Sequence, residues 1–410
     1  MALAGGGCSS NSDSGAAGAG GAGDIGTSKE SLKVFSWWTG PGEAEALQAL
    51  VTTYKGKYKG AQVSLDPNAT AATWRPALTA GIDESPTPWD VFQLAAADLP
   101  QFVADHPGAL ANVDKYYAEP SLKSSVNPEI LKRVTVDGHQ YGVVTGVHRN
   151  NSFLWNQQLL KDNKLAVPTT MPEFLAVCEK LKAKGVYPVA TTFQTWALHI
   201  MFDEILAGTL GAADFDDFVQ GRNPPSAYKD GIQSAIDTFA KVLKDYVDPA
   251  SATNADYGWT QAADDLFNGK AAMIMHGDWA KGYVVNLGWT PGVDFGVSGP
   301  PGANDLFVFG ADMMGVPAAA PHAALSDAFL GVVASKEGQI AFNRYKGATP
   351  MRNDVRDDLD EPGKASLDSL TNAKVLSPSH ANSAWDDAIG AFAKDMDTAA
   401  LLDVYLTAAP

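Results

Sequence analysis

The chain has 410 residues, of which 45% are hydrophobic and 19% charged, and this globular balance excludes a disordered or fibrous protein. A chain of this length is longer than a single hydrophobic core usually supports, so we expect two lobes. Thirty Lys and Arg against 47 Asp and Glu give a formal net charge of −17, which disfavours nucleic acid as a partner. A membrane helix needs roughly 20 uninterrupted apolar residues, and the sequence contains no such stretch.

The first 28 residues form a tract of Gly, Ala and Ser with almost nothing to bury, which predicts a flexible tether. Small residues precede Cys8 and polar residues follow it, a pattern that resembles a bacterial lipoprotein signal and its linker. The match is incomplete, because Leu3 lies five residues before Cys8 instead of three and the long apolar region is missing. We interpret Cys8 as a lipidation site; the alternative is an unpaired cysteine in a loose tail.

Strands and helices alternate over the next part of the chain. β-branched and aromatic residues predict strands at 32–38, 62–65 and 89–94. Apolar residues at helical spacing predict a helix from Glu43, and a second helix, interrupted near Pro76, is predicted at 73–80. This alternation indicates an α/β fold with mainly parallel sheets and helices on both faces.

The rest of the chain is mostly helical, without an internal repeat. Extended segments are predicted at 141–147, 271–275 and 307–315, and helices at 174–181, 232–243, 262–267, 323–342 and 384–406. Cys178 falls on the apolar face of one of these helices, so we interpret it as a core residue. The two cysteines lie far apart in different contexts, and no disulfide is predicted.

The usual signatures of metal or nucleophilic catalysis are missing from the sequence. No two of the seven histidines are spaced three to five residues apart, as a helical zinc pair would be. A G-x-S-x-G motif and a phosphate-binding loop are also missing. We therefore predict no catalytic residue, no metal and no cofactor.

Aromatic residues beside polar ones are the most informative feature of the chain. Several of the ten tryptophans lie at strand ends or in loops, as in Trp37-Trp38, Tyr257-Gly-Trp259 and His276-Gly-Asp278-Trp279. An indole can pack on the apolar C–H face of a sugar, while charged side chains bind its hydroxyl groups. For any one tryptophan, core packing is the alternative, and Trp37 and Trp38 cannot both face the core of a regular strand.

Several motifs resemble those of the extracytoplasmic sugar-binding proteins of ABC importers, and most closely the glucose/mannose-type binders. They are Ser36-Trp-Trp-Thr-Gly40, Phe92-Gln-Leu, Val147-His-Arg-Asn150, Phe267-Asn-Gly-Lys-Ala-Ala-Met273, Gly277-Asp-Trp-Ala-Lys-Gly-Tyr283 and Ser335-Lys-Glu-Gly338. The resemblance implies a two-lobed periplasmic-binding-protein-like fold of type II, with hinge crossovers. It places the tether at 1–28, the N-terminal lobe at 29–145 plus 311–345, and the C-terminal lobe at 146–310 plus 346–410.

The resemblance also implies a set of ligand-binding residues. A sugar would stack on Trp37 or Trp38 and on Trp259 and Trp279. Its hydroxyl groups would be held by Glu43, Gln93, Asp312, Lys346 and His380. Asp278, His148 and Arg149 complete the candidates; for His148 and Arg149, which lie near the crossing strand, a structural role is the alternative. Some glucose-binding relatives carry His or Lys two residues after the Gln93 position, where this chain has Ala95. This departure leaves the exact monosaccharide open, and a pocket enlarged there would admit a second sugar ring.

By resemblance the protein is a non-catalytic receptor that presents a monosaccharide to the transmembrane subunits of an ABC permease. Glucose is the expected ligand, with galactose and mannose as alternatives. The receptor would act as a monomer outside the cytoplasm, anchored through Cys8. A binder of oligosaccharides is the first alternative. A secreted glycoside hydrolase using Glu43, Asp278 or Asp312 is the second, because such an enzyme needs two carboxylates.

Overall fold

The computed structural model describes residues 22–66, 71–254, 256–380 and 382–408. The strands are β1 (Ser31–Phe35), β2 (Gln62–Leu65), β3 (Val91–Ala95), β4 (Thr135–Val136), β5 (His139–Gln140), β6 (Val143–Arg149), β7 (Ser152–Asn156), β8 (Tyr187–Ala190), β9 (Ala271–His276), β10 (Phe295–Ser298), β11 (Leu306–Gly315) and β12 (Val375–Pro378).

The α-helices are α1 (Ala22–Thr27), α2 (Glu43–Lys57), α3 (Ala71–Gly81), α4 (Leu99–Asp105), α5 (Asp114–Ala118), α6 (Pro120–Lys123), α7 (Pro128–Arg133), α8 (Gln157–Asp162), α9 (Met171–Lys182), α10 (Thr195–Leu210), α11 (Ala212–Val219), α12 (Lys229–Asp245), α13 (Ala250–Thr253), α14 (Trp259–Phe267), α15 (Trp279–Asn286), α16 (Ala323–Ala334), α17 (Lys336–Lys346), α18 (Glu361–Thr371), α19 (Ser383–Asp395) and α20 (Thr398–Thr407). Short 3₁₀ helices cover Ala96–Asp98, Pro225–Tyr228 and Asn353–Asp358.

The predicted elements of the first lobe are present, with two local differences. β1 ends at Phe35, so Trp37 and Trp38 follow the strand instead of belonging to it. α3 continues through Pro76, where an interruption was predicted. Proline removes one backbone N–H from the hydrogen-bond ladder of a helix, and here the helix continues without that bond.

The first sheet has the strand order β12-β11-β3-β1-β2, with β6 also paired to β11. β1 pairs in parallel with β2 and β3, and β11 pairs in parallel with β12. β11 runs antiparallel to β3 and to β6. The mainly parallel pairing predicted from strand–helix alternation is therefore confirmed in this sheet.

The second sheet has the order β10-β7-β9-β8, and here the prediction of mainly parallel pairing is wrong. Only β8 and β9 are parallel among its described pairs, whereas β7 runs antiparallel to both β9 and β10. Ser152, where β7 begins, pairs with His276, where β9 ends. β7 thus runs away from the junction between the lobes, and β9 runs back toward it. A short run of buried residues in a sequence does not show in which direction its strand runs relative to its neighbours.

Two large hydrophobic cores, one around each sheet, define two lobes. β11 contributes to both cores, since Phe307 and Phe309 pack into the first and Leu306 and Val308 into the second. β6 and the segment 347–351 cross between the lobes beside β11. Val147 and Thr349 join these two segments by exchanging backbone hydrogen bonds of 2.7 and 2.8 Å. These crossings confirm the predicted two-lobed α/β fold class; the residue limits of each lobe stay a prediction. Within the described ranges, no helix has the length and apolarity needed to span a membrane.

Candidate functional site

A cavity of about 420 Å³ lies where the two lobes meet, within the volume range typical of small-molecule sites. Residues of both lobes and of the crossing strands form its walls. The lining residues are Trp37, Glu43, Ala95, Ala97, His148, Asn150, Gln194, Trp196, Trp259, Trp279, Gly310, Ala311, Asp312, Lys346 and Ser379. Aromatic rings form one side of the cavity, and charged side chains form another.

The aromatic wall consists of Trp196, Trp259 and Trp279, which surround the buried imidazole of His276. Their ring centroids lie 5.2, 6.1 and 5.3 Å from that of His276. The indole N–H of Trp279 donates a hydrogen bond of 3.1 Å to Nε2 of His276. Burial lowers the pKa of His276 to about 3, so the ring is neutral near pH 7 and Nε2 can accept this bond. The wall therefore presents fixed, uncharged faces to the cavity.

Local sequence explains the position of Trp279. β9 ends at His276, Gly277 turns the chain, and α15 begins at Trp279. A Cβ atom at position 277 would collide with the six-membered ring of Trp279, so glycine is what allows the indole to fold back over the turn. The Gly-Asp-Trp motif thus directs an indole into the cavity.

The charged wall is organised around Lys346, whose side chain is only 4% exposed. Its ammonium group donates a 2.8 Å hydrogen bond to Oε1 of Glu43 and lies 5.8 Å from the ring centroid of Trp279. Lys346 ends α17 and Glu43 begins α2, so each charge is favoured by the dipole of its own helix. Burial lowers the pKa of Lys346, but attraction to Glu43 and Asp312 outweighs it and holds that pKa above its ordinary value.

His148, which lines the cavity, connects two aspartates. Its Nδ1 lies 2.7 Å from Asp278 Oδ1, and its Nε2 lies 3.2 Å from Asp312 Oδ2. Burial lowers the pKa of His148, but the charge of Asp278 and hydrogen bonds to both carboxylates raise it overall, in spite of the nearby Lys346. Asp312 lines the cavity, but Asp278 does not. The register of β11 against β6 shifts between Asp312 and Met313. Such irregularities change the direction of side chains, and here Asp312 reaches the cavity.

Two residues predicted to contact ligand lie in the first core instead. Trp38 is 2% exposed and packs on Phe342, with ring centroids 4.7 Å apart. Gln93 is fully buried, and its Oε1 accepts a hydrogen bond from the hydroxyl group of Ser36. Since β1 ends before the Trp-Trp pair, one indole turns into the core and Trp37 remains at the cavity.

Arg149 and His380 also lie away from the cavity lining. The guanidinium group of Arg149 donates to the backbone oxygens of Asn304 and Leu306, so it ties segments of the chain together. His380 packs between His199 and Trp385, and the preceding Ser379 lines the cavity in its place. Cys8 lies outside the described residues, and Cys178 is fully buried, as predicted.

Sequence reasoning missed several lining residues, above all Trp196. This indole is 40% exposed at the start of α10, beside Gln194, which also lines the cavity. The run Gln194-Thr-Trp196 has the same neighbouring ring and polar groups that drew attention to Trp259 and Trp279. Asn150 ends the Val147-His-Arg-Asn150 motif but was not among the predicted ligand contacts. Ser379 carried no comparable signal, since single polar residues in loops are common.

Two α/β lobes that enclose a cleft of aromatic and charged side chains define a solute-binding protein of the hinged, two-lobed class. The chain belongs to the family of bacterial extracellular solute-binding proteins, whose model matches residues 40–340. This confirms the wider resemblance seen in the sequence, while the glucose/mannose subgroup stays a prediction.

Individual relatives agree with this assignment. An uncharacterised ABC transporter extracellular-binding protein of Pyrococcus horikoshii is 29% identical over 364 residues, covering 86% of this chain and 79% of that protein. A probable sugar-binding periplasmic protein of Mesorhizobium japonicum is 30% identical over 356 residues, covering 84% and 81%. The solved bacterial solute receptor AcbH, described as having an exclusive preference for β-D-galactopyranose, superposes with a TM-score of 0.75. At 17% identity over 91% of this chain and 96% of that one, it supports the fold alone.

Proposed function

We propose that this protein is the extracytoplasmic receptor of an ABC sugar importer and that its cleft binds one hexose, with glucose as the expected ligand. The cavity is the observation that carries this proposal, because it combines indole faces with charged hydrogen-bonding groups. A pyranose has apolar C–H faces and a rim of hydroxyl groups, and these two walls match both features. The relative from Mesorhizobium japonicum, named as a sugar-binding periplasmic protein, supports the same class of ligand.

In the proposed complex the sugar lies between the walls. Its C–H face packs on Trp279 or Trp259, and Glu43, Asp312 and Lys346 bind its hydroxyl groups. Glu43 belongs to the first lobe and Trp279 to the second, so the ligand contacts both lobes. Contacts that form only when the lobes are close give the closed state its higher affinity, and the ligand thereby shifts the population toward closure.

The proposed partner is the pair of transmembrane subunits of an ABC permease, which would recognise the closed monomer. Lipidation of Cys8 would hold the receptor at the outer face of the membrane. Replacing this cysteine, Cys8→Ser, should move the protein from the membrane fraction of cells to the soluble fraction, with Cys178→Ser as the matched control. Equal distribution of both variants would contradict the anchor.

A second candidate ligand is an oligosaccharide. Ala95 and Ala97 line the cavity with methyl groups only, which leaves space beside the first ring. Replacing Ala95 with leucine would fill that space. If a second ring occupies it, Ala95→Leu should weaken maltose binding much more than glucose binding.

Calorimetric titration of the ligand-stripped protein with glucose, galactose, mannose, xylose and maltose tests the proposal. Affinity of about 1 µM or tighter for one hexose would support it. Heat from maltose alone would transfer the proposal to the oligosaccharide class. Sugar release from chromogenic glycosides would contradict a receptor and favour the glycoside hydrolase.

A further inference from the structure

A second polar cluster lies in the C-terminal part of the fold, apart from the cavity lining. It consists of His199 and Asp203, one turn apart on α10, and His380, which follows β12. Nε2 of His199 lies 3.7 Å from Asp203 Oδ1, and Nε2 of His380 lies 3.6 Å from Asp203 Oδ2. One ligand atom from each of the three residues lies within 4.8 Å of the others. Two imidazoles and one carboxylate are thus close enough together to hold one metal ion.

The inner atoms of this cluster lack hydrogen bonds. Within the part of the chain that the structure describes, His199 Nε2, Asp203 Oδ1 and both ring nitrogens of His380 are buried without a hydrogen-bond partner. The side chains of His199 and His380 are each 10% exposed. Burying polar atoms without hydrogen bonds is energetically unfavourable, so a bound partner at this position would stabilise the cluster.

The orientation of His199 indicates what that partner is. Its Nδ1 lies 2.5 Å from Oδ1 of Asp386, on α19, and because a carboxylate only accepts hydrogen bonds, Nδ1 carries a proton and Nε2 is the nitrogen that faces the cluster. A carboxylate that holds one imidazole nitrogen while the other faces a metal is the usual support of a metal-binding histidine. In the neutral imidazole, the lone pair of Nε2 and the Asp203 carboxylate are both electron donors that face the same region. A cation bound there would attract both groups.

The distances agree with metal coordination better than with hydrogen bonding. Ligand atoms about 2.0–2.2 Å from a tetrahedral zinc ion lie roughly 3.3–3.5 Å apart. The separations of 3.7 Å to Asp203 Oδ1 and 3.6 Å to Asp203 Oδ2 are too long for hydrogen bonds, and each lies within a few tenths of an ångström of that spacing, with one carboxylate oxygen facing each imidazole. Trp385 closes one side of the cluster, with its ring centroid 5.1 Å from that of His380.

We propose that His199, Asp203 and His380 form a binding site for a divalent transition-metal ion, with zinc as the best match to two imidazoles and one carboxylate. Asp386 is the positioning residue for His199. A water molecule would complete a tetrahedral site. The ion would join α10 to the segment between β12 and α19. Trp196, one turn before His199, and Ser379, next to His380, both line the cavity, so the ion would also brace that wall.

Calorimetric titration of tag-free, chelator-treated protein with Zn²⁺ tests this site. We expect one equivalent bound at about 1 µM or tighter. His199→Gln and Asp203→Asn should each lower the affinity at least about tenfold, and Asp386→Asn should lower it by about 10–100-fold. His139→Gln is the matched control, because His139 pairs with a single carboxylate, Asp114, and its side chain is 54% exposed. This control should bind zinc like the original protein.

The visible absorption of bound Co²⁺ gives a second readout that needs no variant. Intense bands typical of four-coordinate cobalt would support the site. A weak spectrum like that of aqueous Co²⁺, substoichiometric zinc binding, or unchanged affinity in folded Asp203→Asn would overturn it. Each of these outcomes is independent of whether the cleft binds glucose.

Discussion

Two buried histidines, one on each side of the cleft, have opposite electrostatic surroundings. His276 is 3% exposed among three indoles, and burial lowers its pKa to about 3. His148 is 5% exposed but lies between Asp278 and Asp312, and these partners overcome the effect of burial and raise its pKa. The first wall thus stays neutral and offers apolar faces, while the second keeps its charges and offers oriented hydrogen-bonding groups. The groups next to a buried histidine therefore decide its role in the cleft more than burial itself does.

The largest effect is expected from removing the cation of the charged wall. Lys346→Met leaves Glu43, whose side chain is 16% exposed, without its partner, and breaking a largely buried pair typically costs about 3 kcal/mol of unfolding free energy. Lys336→Met is the control on the same helix, since Lys336 pairs with Asp354 and its side chain is 44% exposed. Its loss should cost less than about 1 kcal/mol. Equal losses in urea denaturation would contradict a special role for the charged wall.

On the aromatic wall, Trp279→Ala should weaken sugar binding more than about tenfold, or above about 1.4 kcal/mol, because it removes a stacking surface. Trp289→Ala is the matched control: this indole packs on Phe267, with ring centroids 5.0 Å apart, and does not line the cavity. Calorimetric titration of both folded variants measures the difference. Unchanged affinity in Trp279→Ala would refute the assignment of this wall to the sugar.

The two histidines should impose opposite pH dependences on stability. His276 has a folded pKa of about 3, below the unfolded value of about 6.5. Its contribution is therefore full above pH 6.5 and falls with acidification, by up to about 1.4 kcal/mol per pH unit. The folded pKa of His148 is raised, so its contribution is full below pH 6.5 and is lost as pH rises through that folded value.

Urea denaturation between about pH 4 and pH 8 separates these contributions. His276→Gln should flatten the acid side of the stability profile, and His148→Gln should flatten the alkaline side. His139→Gln, at an exposed position, should follow the original profile. If both buried-site variants change the same side, the electrostatic contrast between the walls is wrong.

A smaller effect is expected from Gly277→Ala. The added methyl group collides with the Trp279 ring, so the indole must shift within the cavity. We expect sugar affinity to fall about threefold, or less than about 1 kcal/mol. Gly185→Ala meets no neighbouring atom but has a positive φ, whereas Gly56→Ala lies in open space on α2 and is the better control. Titration curves that coincide for both variants would show that the turn does not position the indole.

Local patterns predicted much of the fold and part of the cleft. The helix from Glu43 and the buried strand before Gly277 follow from periodicity and turn residues, and both are present. The positions of Glu43, Trp259 and Trp279 at the cavity agree with their motifs. The direction of β7 could not be predicted, because parallel and antiparallel strands share the same buried pattern.

Residues that depend on tertiary neighbours were the hardest to assign. Trp38 looked as accessible as Trp37, and only the end of β1 at Phe35 separates their environments. His380 meets His199 and Asp203 only through chain folding. The spacing of histidines along the sequence therefore gives no sign of a His–Asp pair that is joined by a distant third residue. Such juxtapositions are set by packing and not by spacing along the chain.

A crystal structure of the protein with glucose would show whether the sugar lies between the two walls of the cavity. We predict a pyranose within about 4 Å of the Trp279 or Trp259 ring, with hydroxyl groups hydrogen-bonded to Glu43, Asp312 or Lys346. Residues of both lobes should contact the same sugar ring. Glucose bound outside this cavity, or in contact with one lobe only, would contradict a receptor that closes on its ligand.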